Sequence, residues 1–175
     1  EIGPQKSWQA SMGYYKSLSR GLELSVEGYY KNMTGLLEYQ DGASYLNLEE
    51  NWQDKIEIGE GKSYGAEFLL QKISGKTTGW LGYTLSKTDR RFDQLNNGQW
   101  FPFRYDRRHD ISLTLTHHLT EKIHLYGTWV YGSGNSISVP THTYNSFSGA
   151  EGLNYWDYVQ YYESRNNYKM RDYHR

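Results

Sequence analysis

Between Gly61 and Lys87 the residues GKSYGAEFLLQKISGKTTGWLGYTLSK alternate in polarity with a period of two, and no other stretch constrains the fold as tightly. Tyr64, Ala66, Phe68 and Leu70 fall on one face of an extended backbone, while Ser63, Gly65, Glu67 and Gln71 fall on the other. Small polar residues at Ser74 to Lys76 reverse the chain. The return arm then sets Leu81, Tyr83 and Leu85 against Gly82, Thr84 and Ser86. Two long amphipathic strands joined by a tight turn result, and the solvent that meets their apolar face decides what the chain can be.

The same alternation recurs on both sides of this hairpin. In SWQASMGYYK, Trp8, Ala10, Met12 and Tyr14 oppose Gln9, Ser11, Gly13 and Tyr15, and after a turn at Ser17 to Gly21 the segment LELSVEGYYK sets Leu22, Leu24, Val26, Gly28 and Tyr30 against Glu23, Ser25, Glu27, Tyr29 and Lys31. Met33 to Asp54 reads as a long loop with a strand extension near Leu36 to Tyr39, and a third strand begins near Ile56. Beyond the hairpin, TDRRFDQLNNGQWFPFRYDRR is again a long loop. HDISLTLTHHL and KIHLYGTWVY form a last strand pair, joined through Thr120 to Lys122. From Gly132 on, the sequence reads as one loop rich in Gly, Ser, Asn and Tyr, with no closing strand at Tyr173 to Arg175. The start, Glu-Ile-Gly-Pro, has neither the basic residues nor the apolar run of a signal peptide, and the chain reads as a piece of a longer polypeptide.

Composition narrows the class. A mean hydropathy of -0.88 with 37% hydrophobic residues is low for an ordinary globular interior, and the 17% aromatic content, led by 18 Tyr and 6 Trp, favours strands and polar–apolar boundaries. The three prolines, Pro4, Pro102 and Pro140, avoid strand centres, as a hydrogen-bonded ladder requires. A net charge of -1 offers no field for phosphate neutralisation, which sets nucleic acid aside. Without cysteine there is neither a disulfide framework nor a thiolate metal site. No apolar run is long enough for a transmembrane helix, but barrel strands are short and only half apolar, so a β-barrel stays open.

The connections decide between solvents. The turns after the first, third and fifth strands are short and share one end, whereas the even connections run to roughly twenty residues, well beyond an ordinary hairpin loop. Six strands of this length with short turns at one rim, long loops at the other and an apolar face match an outer-membrane barrel. A β-sandwich also alternates, yet nothing in it requires every long loop at one end.

The segments YKNMTGLLEY (30–39), GKSYGAEFLLQKISGKTTGWLGYTLSKTDRRF (61–92), FPFRYDRRHDISLTLTH (101–117), GTWVYGSGN (127–135) and NNYKMRDYHR (166–175), in this order, resemble the TonB-dependent outer-membrane receptors of the Bacteroidetes type. GWLGYTLS and YDRRHD are the most specific of them, and they mark the barrel and not a substrate. The resemblance implies an all-β fold, an antiparallel transmembrane β-barrel of 22 strands of which residues 1–175 supply about six. It also implies a plug domain of the same polypeptide inside, and import of a scarce ligand such as an iron chelate, cobalamin or a glycan. The partners it implies are outer-membrane lipid and lipopolysaccharide, the imported ligand and the TonB energy-coupling protein, reached through segments outside this sequence. Two other classes compete: a different outer-membrane barrel, such as an adhesin or channel, and a soluble carbohydrate-binding β-sandwich.

Chemical motifs are sparse. Gly61-Lys62-Ser63 lacks the glycine a phosphate loop needs at position 56, where Ile56 stands, so Gly61 and Gly65 serve close backbone approach instead. His117 and His118 are adjacent on a strand, point to opposite faces and cannot share a metal with His124 without distortion. No nucleophile elbow occurs, and the chain reads as neither an enzyme nor a cofactor protein. Two clusters remain. Arg90, Arg91, Arg104, Arg107 and Arg108, offset by Asp89, Asp93 and Asp106, either brace strand ends through salt bridges or, through Arg104 and Arg107, meet lipopolysaccharide phosphates or an anionic ligand. Tyr144, Phe147, Tyr155, Trp156, Tyr158, Tyr161 and Tyr162 either pack the last loop on itself or, at Tyr155, Trp156 and Tyr158, stack on a ligand. In a barrel, Glu23, Glu27, Lys31, Glu67, Lys87, Asp110 and Thr114 would line the lumen, with Leu69, Trp80 and Val130 facing inward against that pattern.

Overall fold

The computed structural model of the chain describes residues 2–40, 51–150 and 153–175, with side chains described for these except 146–158. The strands are β1 (Lys6–Ser17), β2 (Leu22–Tyr39), β3 (Ile56–Lys72), β4 (Thr77–Phe92), β5 (Phe101–Pro102), β6 (His109–His118), β7 (His124–Gly132), β8 (Ser136–Ile137), β9 (His142–Ala150), β10 (Leu153–Tyr161), β11 (Tyr168–Lys169) and β12 (Tyr173–His174). The protein is all-β. Its main sheet is an antiparallel meander in the order β1-β2-β3-β4-β6-β7-β12, with β5 on the far end of β4. From β1 to β7 each long strand pairs with the next long strand of the chain, so the short turns after β1, β3 and β6 lie along one edge and the long connections along the other.

The register confirms that one face is apolar. Tyr14, Val26, Phe68, Tyr83, Ile111 and Tyr131 lie opposite one another across six strands, and Leu24, Leu70, Leu81, Leu113 and Trp129 form the next row. Glu27, Glu67, Thr84 and Asp110 form a row on the reverse face. Leu69 pairs with Gly82 and Ser25, and Trp80 with Gln71 and Thr114, so both face the polar side as expected. Lys87 does not. It lies opposite Tyr64, in phase with Leu85, and so belongs to the apolar face. The period-two rule places it there, and its charge is met by Asp89 at 3.1 Å on the same side of the strand.

The apolar face is uncovered among the described residues. Met12 is 84% exposed, Tyr14 60% and Phe68 41%. The whole chain exposes 13032 Å², against about 8,900 Å² for a globular monomer of its mass. A buried cluster forms instead at the long-loop edge, where Leu36, Phe92, Leu95 and Phe101 pack together with Met33. Phe92 and Phe101 stack with centroids 6.0 Å apart. Gly61 makes room for this cluster: a Cβ there would stand 2.7 Å from Leu36 Cδ1.

A β-bulge between Thr34 and Leu36 sets the direction of these side chains. One extra residue reverses which face each later residue takes. Leu36 and Glu38 are thereby turned to the polar side, Leu36 toward Phe92 and Glu38 toward Arg90.

The strands also run further than their alternation alone shows. β2, β3 and β4 have 18, 17 and 16 residues, whereas β6 and β7 have 10 and 9. The expected loop at TDRRF is therefore strand as far as Phe92, and the extension at Leu36 to Tyr39 is continuous with β2. At the other edge the first two short turns are tied together, Ile73 N–H donating to Gly21 O at 2.9 Å and Ser74 Oγ to Arg20 O at 3.4 Å.

The segment after Gly132 is not one loop. β9 and β10 form a hairpin, β8 and β11 pair, and β12 returns to β7 as the next strand of the meander. Asp172 anchors that return, accepting from the Tyr131 hydroxyl at 2.5 Å and from Gly134 N–H at 3.2 Å. Asp172→Asn should therefore lower amide-exchange protection at Val130 and Arg175, which bond each other across β7 and the chain end at 3.0 Å, measured relative to intrinsic rates.

Candidate functional site

The arginine-rich connection between β4 and β6 separates into three groups. Residues next to one another on a strand take opposite faces, so Arg90 and Arg91 part at once. Arg91 pairs with Glu60 at 2.7 Å and lies 5.5 Å from the centroid of Trp100, over which Lys62 also sits at 4.1 Å. Arg107 donates to the Tyr173 hydroxyl at 3.0 Å and approaches Asp110 at 3.6 Å. Arg108 meets Asp106 at 3.9 Å. Asp106 is buried, accepts Thr88 N–H at 2.7 Å and has Lys169 at 3.8 Å, so the YDRRHD stretch is clamped onto β4. Arg91, Arg107 and Arg108 thus brace the strand ends, and Arg107 lies outside the cleft that Arg104 lines.

Arg90 and Arg104 come together elsewhere. They line a cleft of about 360 Å³ with Leu37, Glu38, Tyr39, Trp52, Ile56 and Phe103. The Arg90 guanidinium lies 3.7 Å from the Phe103 ring centroid, and its Nη1 reaches Glu38 at 3.3 Å. Glu38 is held from its other oxygen by Arg165 at 3.7 Å, and Arg165 also donates to Tyr39 O at 3.0 Å. Asn166 donates to Pro102 O at 2.8 Å, so the last long connection closes over the same strand ends. Arg90 Nε is buried with no acceptor. Arg104 is exposed and is near enough to Arg90 to oppose its charge. No hydrogen bond or ion pair engages the Arg104 side chain among the described residues.

The arrangement offers groups that can pair with an anion. Arginine forks pair bidentately with carboxylate or phosphate, and Trp52, 54% exposed, supplies a flat apolar wall. Sequence reasoning singled out Arg104 but missed Glu38, Phe103 and Trp52. The bulge hid Glu38, and the signal for the other two was only their aromatic character inside a loop.

Tyr155, Trp156 and Tyr158 lie on β10, paired with Ser148, Phe147 and Asn145. Their side chains lie outside the described residues. Among the histidines, His118 and His124 pair across β6 and β7 with Nδ1 atoms 2.6 Å apart, while His117 turns the other way to Thr77 at 2.8 Å. Among the described residues no group of three His, Cys, Asp or Glu side chains could hold a metal. No helix of the described residues is long and apolar enough to cross a membrane, which says nothing about crossing by strands. Comparison with family models, curated proteins and solved structures finds no match to this chain.

Proposed function

We propose that this chain is a stretch of wall from an outer-membrane β-barrel that imports a scarce nutrient in the manner of the TonB-dependent receptors. The observation that carries the reading is the pair of apolar rows crossing six strands, uncovered on their own side and backed by a polar row, with the three short turns along one edge. Lipid covers such a face without a second sheet, and water fills or a plug packs the other. Trp8 and Tyr30, 5.6 Å apart, and Tyr64 border the apolar rows toward the long-loop side, where an aromatic girdle would sit at the membrane boundary. β1 has an open edge in this sheet, and backbone groups cannot stay unpaired in hydrocarbon, so the wall continues into further strands of the same barrel.

The chain has no cysteine, which makes topology measurable. In cells producing the full-length polypeptide, Gln94→Cys on the long-loop side should react with an impermeant maleimide added outside, and Lys76→Cys in a short turn only after the outer membrane is opened. Equal labelling of both in a buffer-soluble protein would overturn the barrel. Growth on a limiting nutrient should also fall when the full-length protein is deleted, and growth unchanged under iron, cobalamin and glycan limitation would overturn import.

A further inference from the structure

We infer that the cleft between Arg90, Arg104, Trp52 and Phe103 binds a small organic anion with a flat apolar body, of the aryl carboxylate class. The inference deepens the receptor reading and rests on it only in taking the cleft to open on the outside.

Charge is the first reason. Two guanidiniums and one carboxylate line the cleft, and Glu38 is already shared by Arg90 and Arg165. Glu57, opposite Glu38 on β3, takes the Gln40 amide at 3.2 Å. Among the described residues Arg90 and Arg165 share Glu38, and the Arg104 side chain is left without a partner.

Shape is the second. Phe103 is occupied on one side by the Arg90 guanidinium at 3.7 Å, which fixes that fork in a plane beside the cleft. Trp52 and Tyr39 bound the remaining space with ring surface, and Leu37 and Ile56 with aliphatic surface. A bare anion would satisfy Arg104 but leave these walls wet, and a neutral ring would fill the walls but leave Arg104 unmatched. A ring carrying one carboxylate does both, its two oxygens matching the guanidinium fork. A volume of about 360 Å³ lies within the range of small-molecule sites and admits one such ring with a modest substituent.

The test uses the full-length protein in detergent, titrated with benzoate, acetate and benzamide, with binding read by calorimetry and by Trp fluorescence. Benzoate should bind saturably and at least tenfold more tightly than either acetate or benzamide. Arg104→Ala should weaken benzoate at least tenfold with the unfolding midpoint unchanged, because no described contact of the fold engages that side chain. Arg104→Lys should recover only part of the loss. Benzamide binding as tightly as benzoate, no saturable benzoate binding, or equal affinity in the Arg104→Ala protein would each overturn the assignment. If these failures occur while Gln94→Cys and Lys76→Cys label from opposite sides, the cleft assignment falls and the barrel stands; if benzoate binds as expected to a protein that stays in buffer, the barrel falls.

Discussion

Arginine placed at Leu113 should cost the full-length protein about 2–4 kcal/mol of stability in phospholipid vesicles, whereas arginine at Ser112 should cost little. The two positions are neighbours on β6 and differ only in face. Leu113 lies between Leu81 and Trp129 in the middle of the apolar rows, and Ser112 between Gly82 and Val130 on the reverse side. In hydrocarbon a guanidinium at Leu113 loses its hydration, and its distance from either rim limits how far it can reach back to water. The size of the contrast is diagnostic. On a sheet surface open to water, Leu113→Arg would replace a half-buried leucine by a side chain whose head stays hydrated, at a cost of about 1 kcal/mol or less. Urea unfolding of both variants in vesicles measures the difference, and equal midpoints would contradict lipid on that face.

The second large effect is expected at Gly79. This residue holds φ at 149°, and a Cβ built on it would stand 2.1 Å from Thr114 O and 3.0 Å from Leu115 Cα. Both are backbone atoms of β6 and cannot move aside without breaking the ladder. Gly79→Val combines a strained backbone with overpacking, and should cost roughly 2–5 kcal/mol. The loss should be concentrated between β4 and β6, with exchange protection falling at Leu113 and Leu115 before it falls between β1 and β2. Gly127 is the control: a Cβ there meets nothing within 4 Å, so Gly127→Ala should be nearly neutral.

The strands of the meander were legible because their signal is local. Alternation in LELSVEGYYK or HDISLTLTHH needs only a pleated backbone with unlike solvents on its two faces. Strand ends were not. Thr88 to Arg91 carry polar and charged side chains on both faces, so periodicity vanishes there although the ladder with β3 continues to Phe92. The bulge at Thr34 to Leu36 reversed the phase of the last β2 residues, and Glu38 could not be matched to Arg90 without it. The β9–β10 hairpin was hidden for a similar reason, since its tyrosines and serines alternate without a clear apolar side. Arg104 was recognisable as a cation in a charged stretch. That Arg107 and Arg108 are engaged by Tyr173, Asp110 and Asp106 depends on contacts from β12 and the clamped loop, which no local pattern contains.

The unequal lengths of the strands set a height. Leu85 is the last apolar residue of its face on β4, and Arg90 follows five residues later, about 17 Å along the strand and about 12–14 Å along a barrel axis at ordinary strand tilt. Half of the headgroup layer beyond the hydrocarbon amounts to roughly 5–8 Å on each side. In a barrel wall the tops of β2, β3 and β4 would therefore form a palisade clear of the lipid, lower on the side of β6 and β7. A solute would reach Arg104 directly from water, approaching over the low side. A neighbouring protein drifting in the membrane plane would meet Glu60 and Arg91 on the outer flank of that palisade first, and a lateral contact could form there with the cleft still open.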